Sequence, residues 1–324
     1  MTILQKLSTN KMASLNSHSK DLSSFWTGKI LWDIPMSQYS TLKVGGPAKA
    51  IISVANVEDL KRLVHWLKEN DISWWIIGRG SNILVPDRGL SGVTIVLEGE
   101  FIGLEKLENQ PGQKDKTALI RAGGGCLLSK AVHFCTANSL SGLEFAVGIP
   151  GSIGGAVIMN AGAWDNEIGT LLASATLMNN NGKVFTELGQ NLGFTYRGWG
   201  IETNTILLDA TFVLTIGFKD EIKAACNRYL ELRKKNQPLR EPSAGSFFKN
   251  PPELSAGRLI DEAGLKGHFI GGAKVSEKHA NFIINTGNAT ATDILNLMHF
   301  VQDTVYKHSG IRLEPEVHIL GNEG

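Results

Sequence analysis

The sequence predicts an α+β protein of more than one domain, and three observations carry that expectation. Its 324 residues exceed the ~250–300 at which a single hydrophobic core stops growing and divides. Short β-type runs and helical patterns are mixed along the chain, and one pair of runs reads as a hairpin. Glycine is abundant, 36 residues against a usual ~7%, and its densest clusters follow or flank predicted strands. With 42% apolar and 19% charged residues, the composition is that of a chain that folds around apolar cores.

In order, Leu42–Val54 alternates and then turns apolar, Val57–Asn70 has helical spacing, and Ile72–Ile77 is a short β-type run before Gly78, a β-α-β pattern. Strands are expected at Gly92–Leu97 and Ala118–Ala122, separated by a polar loop over Asn109–Lys116, and a helix at Cys126–Asn138. Ala173–Met178 and Lys183–Glu187 are joined by Asn180-Asn181-Gly182, a tight turn that needs positive φ and marks a hairpin. Ile206–Leu214 is a further strand, and Lys219–Lys235 an amphipathic helix that links two domains. The remainder predicts a helix at Ala256–Ala263, a strand at Asn281–Asn285, a helix at Thr292–Lys307 introduced by Thr290, and a last strand at Arg312–Leu320. Boundaries are expected near Gly89 and Gly217.

Several function classes are disfavoured. Lys+Arg number 32 and Asp+Glu 31, so no broad field draws nucleic acid or an anionic membrane, and an anionic ligand must be held locally. No apolar run reaches the ~18 residues that span a bilayer. Cys126, Cys135 and Cys226 form no CxxC pair, and the histidines show no ligand spacing, so neither a disulfide framework nor a metal site is expected. The cysteine usage suits a reducing, cytoplasmic setting. Residues 1–28 read as a flexible or helical extension; the lysines at 6, 11 and 20 before the first acid, Asp21, keep an organelle transit peptide open.

The functional signal lies in Gly78-Arg79-Gly80-Ser81-Asn82, Gly123-Gly124-Gly125 and Gly148-Ile149-Pro150-Gly151-Ser152-Ile153-Gly154-Gly155. Glycines there let backbone N–H groups point into a concavity that holds phosphate oxygens, and Ser81 and Ser152 add hydroxyls. None forms a Walker loop or a dinucleotide GxGxxG unit. Singly, each is more often a plain turn; together they suggest one extended pyrophosphate ligand such as FAD.

The first and third of these stretches, continued to Leu84 and Ala156, with Ser40-Thr41-Leu42-Lys43-Val44-Gly45-Gly46-Pro47-Ala48, Met159-Asn160-Ala161-Gly162, Ala244-Gly245-Ser246-Phe247-Phe248-Lys249-Asn250-Pro251 and Leu313-Glu314-Pro315-Glu316-Val317, resemble the motifs of the UDP-N-acetylenolpyruvoylglucosamine reductase family, in that family's order and from about Ile34 to Gly321. The resemblance implies a flavoprotein fold of the vanillyl-alcohol-oxidase (PCMH) type. Its implied parts are an FAD-binding subdomain over 29–89, rejoined by a C-terminal strand within 311–324, a second over 90–217 and a substrate domain over 218–310. It implies non-covalent FAD, reduction by NADPH, and hydride transfer to the enolpyruvyl ether of UDP-N-acetylglucosamine to give UDP-N-acetylmuramate, a peptidoglycan precursor. A monomer is expected, with no nucleic-acid or membrane partner.

By the same resemblance, FAD is held by Gly45, Gly46, Pro47, Gly78, Arg79, Gly80, Ser81, Asn82, Ile83, Gly123, Gly124, Gly148, Ile149, Pro150, Gly151, Ser152, Gly154, Gly155, Ala156, Asn160 and Gly162. Ser246 is the implied proton donor, Arg197 faces the enolpyruvyl carboxylate, and Glu316, preferred to Glu314 because Glu-Val is the better-matched part of the motif, works with Arg197. Tyr196, Arg233, Gln237, Lys249 and Asn250 are substrate-binding candidates. Out of context, Ser246 is a turn serine, Arg197 a surface ion-pair residue, Glu316 a solvated strand residue and Arg233 part of a solvated helix end. One branch of the family closes a tyrosine-bearing loop over its substrate; Thr170–Arg197 has room for little beyond the hairpin, so this chain resembles the shorter branch. A phenol or sugar-alcohol oxidase on the same fold is the rival enzyme, and a nucleotide-sugar-binding protein without chemistry the rival of another class.

Overall fold

A computed structural model describes residues 15–108, 116–202 and 204–321. Residues 1–14 and 109–115, most of the expected polar loop, lie outside the described residues.

The leader contributes α1 (Leu15–Phe25). Leu15 and Leu22 are buried on the first core, and the Phe25 ring stacks on Trp66 at 5.4 Å. β1 (Ile30–Pro35) pairs antiparallel with β2 (Pro47–Val54), and α2 (Val57–Glu69) follows, its first turn capped by Asn56, whose side chain accepts from the Asp59 N–H. β3 (Trp74–Ile77), β4 (Ile83–Leu84) and β5 (Leu90–Leu97) complete the unit. The sheet order is β1-β2-β5-β3, with β5 parallel to both neighbours. Period-two alternation along β2 sends Ala50, Ile52 and Val54 toward Leu60, Leu63, Val64 and Leu67 of α2. Ile51 turns to the other face, where Val85 and Leu320 pack. The strand after Gly89, where a boundary was expected, lies between β2 and β3 in this sheet.

The second unit is an antiparallel sheet of β6 (Leu104–Lys106), β7 (Thr117–Gly123), β8 (Leu140–Ser141), β11 (Leu172–Met178), β12 (Val184–Leu188) and β13 (Ile206–Ile216). Its core holds residues of α3 (Leu128–Ala137) and α4 (Ile153–Ile158). Between α4 and β11, β9 (Gly162–Ala163) and β10 (Asn166–Glu167) form a small hairpin. The expected turn between β11 and β12 closes with Gly182 N–H on Asn179 O, and Gly182 has φ 76°. Helix α5 (Lys219–Asn236) buries Cys226 in this same core. The helix that follows the boundary expected at Gly217 thus packs its apolar stripe on the second unit.

The third unit packs α6 (Ala256–Glu262), the antiparallel β14 (Phe269–Ile270), β15 (Ala273–Val275) and β16 (Ile283–Asn285), and α7 (Ala291–Ser309). Leu42, Val44 and Leu84 of the first unit enter its core. Thr290 starts α7 through a full capping box with Asp293. Asp87 of the first unit accepts from the Ala291 and Thr292 N–H groups at 2.8 and 2.9 Å.

The last expected strand, Arg312–Leu320, changes partner halfway. Lys249 N–H donates to Glu314 O and Glu316 N–H to Phe247 O, each at 2.9 Å. Then β17 (His318–Ile319) pairs parallel with β4. Glu316 sits at that changeover.

Candidate active site

Arg197 reaches the site from a tight turn in which Thr195 and Gly198 exchange hydrogen bonds, N–H to O at 3.0 Å and 3.2 Å. It occupies the third turn position at φ 59°, a left-handed conformation that costs a branched-out side chain on the order of 1 kcal/mol or more and is tolerated where geometry demands it. Its Nε donates to Glu316 Oε1 at 2.9 Å and its Nη2 to Gly162 O at 3.2 Å, while its guanidinium lies 4.8 Å from the Tyr196 ring centre. The two charged side chains are 19% and 15% exposed. Of the two glutamates in the C-terminal motif, Glu316 is the buried one; the Glu314 side chain is 76% exposed and pairs with Lys249 at 3.7 Å. Burial pushes the Glu316 carboxyl above the ordinary range, with Arg197 and then Lys249 opposing the rise.

Ser246 lies one residue before Phe247, in the segment that runs antiparallel to Glu314–Glu316. Its neighbours fix it: Gly245 is left-handed at φ 78°, and Phe247 and Phe248 are fully buried. Asn281, 3% exposed, grips the aromatic pair, taking Phe247 N–H on its carbonyl at 2.7 Å and Phe248 N–H on its Oδ1 at 2.9 Å. No spacing in the sequence marks Asn281. The Ser246 hydroxyl makes no hydrogen bond among the described residues. Asn250 N–H donates to the exposed Tyr196 hydroxyl at 3.4 Å, so the second and third units meet across these two candidates. His318 joins the same surroundings; burial first, then Lys249, pulls its imidazole down to about 4, so it is neutral.

The glycine stretches fall into two groups. Loop 78–82 faces loop 148–152: Ser81 Oγ donates to Pro150 O at 2.7 Å, and a Cβ on Gly78 would lie 2.3 Å from Ser152 Oγ. Gly78, Arg79, Gly148, Pro150 and Gly155 are exposed along this seam, and the N–H groups of Arg79, Gly80, Ser81 and Gly151 donate to no acceptor among the described residues. These are free dipoles of the kind a pyrophosphate takes. Gly80 is left-handed at φ 62°, and a Cβ there would stand 1.8 Å from Tyr39 O.

The second group is spent within the protein. A Cβ on Gly46 would lie 2.0 Å from Asp87 O, on Gly123 2.0 Å from Phe101 O, and on Gly124 2.3 Å from Leu207 O. The Gly123 and Gly124 N–H groups donate to Gly103 O and Leu208 O, and Gly154 N–H to Gly124 O. The amide nest expected over 123–125 is not formed, because the backbone approach these glycines permit is to other strands. Gly45 and Pro47 pack beside Gly46 against the Val85–Gly89 turn.

Several expected ligand donors are likewise occupied. The Ser81 hydroxyl bonds Pro150, and Ser152 is buried and caps α4, taking the Gly155 N–H. Asn82 donates to Glu316 O. Ile83 lies within β4, Ile149 N–H closes on Ala146 O, and Ala156 is buried in α4. Arg233 is no solvated helix end: it is buried, donates to Val147 O at 2.8 Å and Phe145 O at 3.3 Å, lies 4.7 Å from the Trp164 ring centre and meets Gln237 Oε1 at 3.4 Å. Burial lowers it to about 10. Arg233, met by Gln237, braces the backbone at Phe145 and Val147. Among the described residues no group of three His, Cys, Asp or Glu could hold a metal ion, and no helix is long and apolar enough to cross a membrane.

Comparison with known proteins bears on this arrangement. The model of an FAD binding domain matches residues 48–187, and that of the C-terminal domain of UDP-N-acetylenolpyruvoylglucosamine reductase matches 237–320. The chain is 41% identical over 296 residues to UDP-N-acetylenolpyruvoylglucosamine reductase 1 of Bacillus thuringiensis subsp. konkukian, covering 91% of this chain and 95% of the relative. It is 42% identical to the reductase of Pediococcus pentosaceus over the same shares. The solved structure of the Thermus caldophilus reductase superposes with TM-score 0.76 at 35% identity, covering 90% of this chain and 98% of that one. A Physcomitrella patens BBE-like protein, 14% identical with TM-score 0.52 over 89% and 88% of the two chains, shares the fold alone. The fold is that of an FAD-binding reductase, and the free amides of loops 78–82 and 148–151 fit that cofactor. The chain belongs to the UDP-N-acetylenolpyruvoylglucosamine reductase family of FAD-dependent oxidoreductases.

Proposed function

We propose that the chain reduces UDP-N-acetylglucosamine enolpyruvate to UDP-N-acetylmuramate at the expense of NADPH. The observation that carries the reading is the Arg197–Glu316 pair, 2.9 Å apart and half-buried, beside the strand segment that bears Ser246. Bound FAD supplies the chemistry of hydride transfer, from NADPH to the vinyl carbon of the enolpyruvyl ether. Arg79, Gly80, Ser81 and Gly151 would hold its pyrophosphate.

The chain's own residues handle charge and proton. Hydride addition leaves an enediolate-like anion on the substrate. Arg197 keeps donors beyond the two spent on Glu316 and Gly162, and these bind the carboxylate where charge gathers. Ser246 delivers its proton to the adjacent carbon; its free hydroxyl and well-anchored backbone support that role, and Lys249 stabilises the alkoxide formed. Glu316, whose carboxyl burial pushes up against the opposing pull of Arg197, shares the charge with Arg197. Tyr196 and Asn250 bound the substrate side. A nucleotide sugar with NADPH as reductant supports a cytoplasmic setting.

The test is anaerobic. Purified enzyme bleached by NADPH regains its flavin band on addition of the enolpyruvyl nucleotide sugar; a band that stays bleached with this substrate, yet returns with oxygen, overturns the assignment.

A further inference from the structure

Asn160, expected to touch the cofactor, bonds groups of the protein through its side chain. It is 1% exposed and left-handed at φ 41°, so the chain accepts strain to put an amide there. Its Nδ2 donates to Glu167 Oε2 at 2.8 Å and to Thr195 O at 3.1 Å, and its Oδ1 takes the Gly169 N–H at 2.9 Å. Thr195 O is also the acceptor that closes the Arg197 turn.

Glu167 pairs through its backbone with Gly162 in the β9–β10 hairpin, and Gly162 O takes Arg197 Nη2. The hairpin is itself strained: Trp164 and Asp165 stand at φ 49° and 62°. A closed ring results, running Asn160, Thr195, the Tyr196–Arg197 turn, Gly162, Glu167 and back to Asn160. Arg197 is thereby fixed from both ends, its backbone through Thr195 and its guanidinium through Gly162. A bidentate contact tolerates little displacement, since misplacement by ~1 Å costs on the order of 10²-fold.

We propose that Asn160 and Glu167 are positioning residues that hold Arg197 in register with the substrate carboxylate. The inference rests on the proposed reaction. It deepens that reading by naming the groups that aim its carboxylate-binding arginine.

The experiment compares both half-reactions, each enzyme first loaded with FAD and checked for flavin content and melting temperature. Asn160→Ala and Glu167→Ala are expected to slow reoxidation by the enolpyruvyl substrate 10- to 100-fold, within the range of the misplacement cost, while reduction by NADPH stays within about twofold. Glu167→Gln keeps an acceptor for Asn160 Nδ2 and rescues most of the rate. A second readout is the pH profile of reoxidation. Arg197 lowers the Glu316 pKa, so an Arg197 set adrift moves the limb assigned to Glu316 upward, a change that loss of packing alone would not produce. Equal slowing of the two half-reactions, an unmoved limb, or Glu167→Gln as poor as Glu167→Ala overturns the positioning role while wild-type turnover leaves the assigned reaction standing. Wild-type enzyme that substrate cannot reoxidise overturns both. Should Asn160→Ala fail to fold, the Glu167 pair decides alone.

Discussion

Replacing Arg197 by lysine isolates the guanidinium from every other feature of its position. Both residues carry one positive charge, and both bear a Cβ at φ 59°, so charge and backbone strain cancel in the comparison. What differs is the donor set. Arginine has five N–H groups in a fixed fork; one goes to Glu316 Oε1 at 2.9 Å and one to Gly162 O at 3.2 Å, which leaves three for the substrate. An ammonium that bonds Glu316 loses the planar pair and its anchor on Gly162. Loss of one preorganised donor to a developing oxyanion costs about 2.7–4 kcal/mol, or roughly 10²–10³ in rate. Single-turnover measurements are the assay: Arg197→Lys is reduced by NADPH at about the wild-type rate and reoxidised by the enolpyruvyl substrate on the order of 10²-fold more slowly. A variant that keeps half the wild-type reoxidation rate, or one equally slow in both half-reactions, refutes the assignment of Arg197 to the substrate carboxylate.

Other expectations follow from the same geometry. Ser246→Ala is bleached by NADPH normally yet reoxidised very slowly, and stopped-flow separates the two; an unimpaired reoxidation removes Ser246 as proton donor. The folded-state pKa of Glu316 lies above its ordinary value, so its protonated form persists below that raised pKa and is lost as pH rises through it. Reoxidation therefore falls with rising pH along a limb that Glu316→Gln abolishes; a limb that survives in the variant belongs to another group. Gly80→Ala brings a Cβ within 1.8 Å of Tyr39 O at a left-handed position, whereas Gly264, at φ 71°, has nothing within 4 Å. Purified Gly80→Ala is expected to carry little flavin and melt early, while Gly264→Ala loses about 1 kcal/mol and stays yellow; equal flavin content in the two would contradict the role of the 78–82 loop.

Much of the architecture was legible along the chain because it rests on local rules. Asn56 and Thr290 begin α2 and α7 by bonding their own third residue, and Gly182 turns the β11–β12 hairpin by accepting φ 76°. Which sheet claims β5, and which core claims the stripe of α5, depends on partners distant in sequence. The glycine clusters were read as one kind of feature, yet Gly78 and Gly148 are exposed along a seam while Gly123 and Gly124 are buried under neighbouring strands. A missing side chain permits close approach without stating to what.

By itself the sequence determined many of the longer elements, the α+β class and the ordered motifs that mark the family, since spacing, caps and turns act over a few residues. Only the tertiary structure decided what the marked residues do. It spends Arg233, Ser152 and Asn160 on the protein's own backbone and leaves Ser246 free. It also sets Arg197 against Glu316, 119 residues away, through a C-terminal strand that leaves one partner for another at that point. Hydrogen-bond partners, burial and hence the protonation of Glu316 are properties of groups brought together from different segments, and no local pattern encodes them.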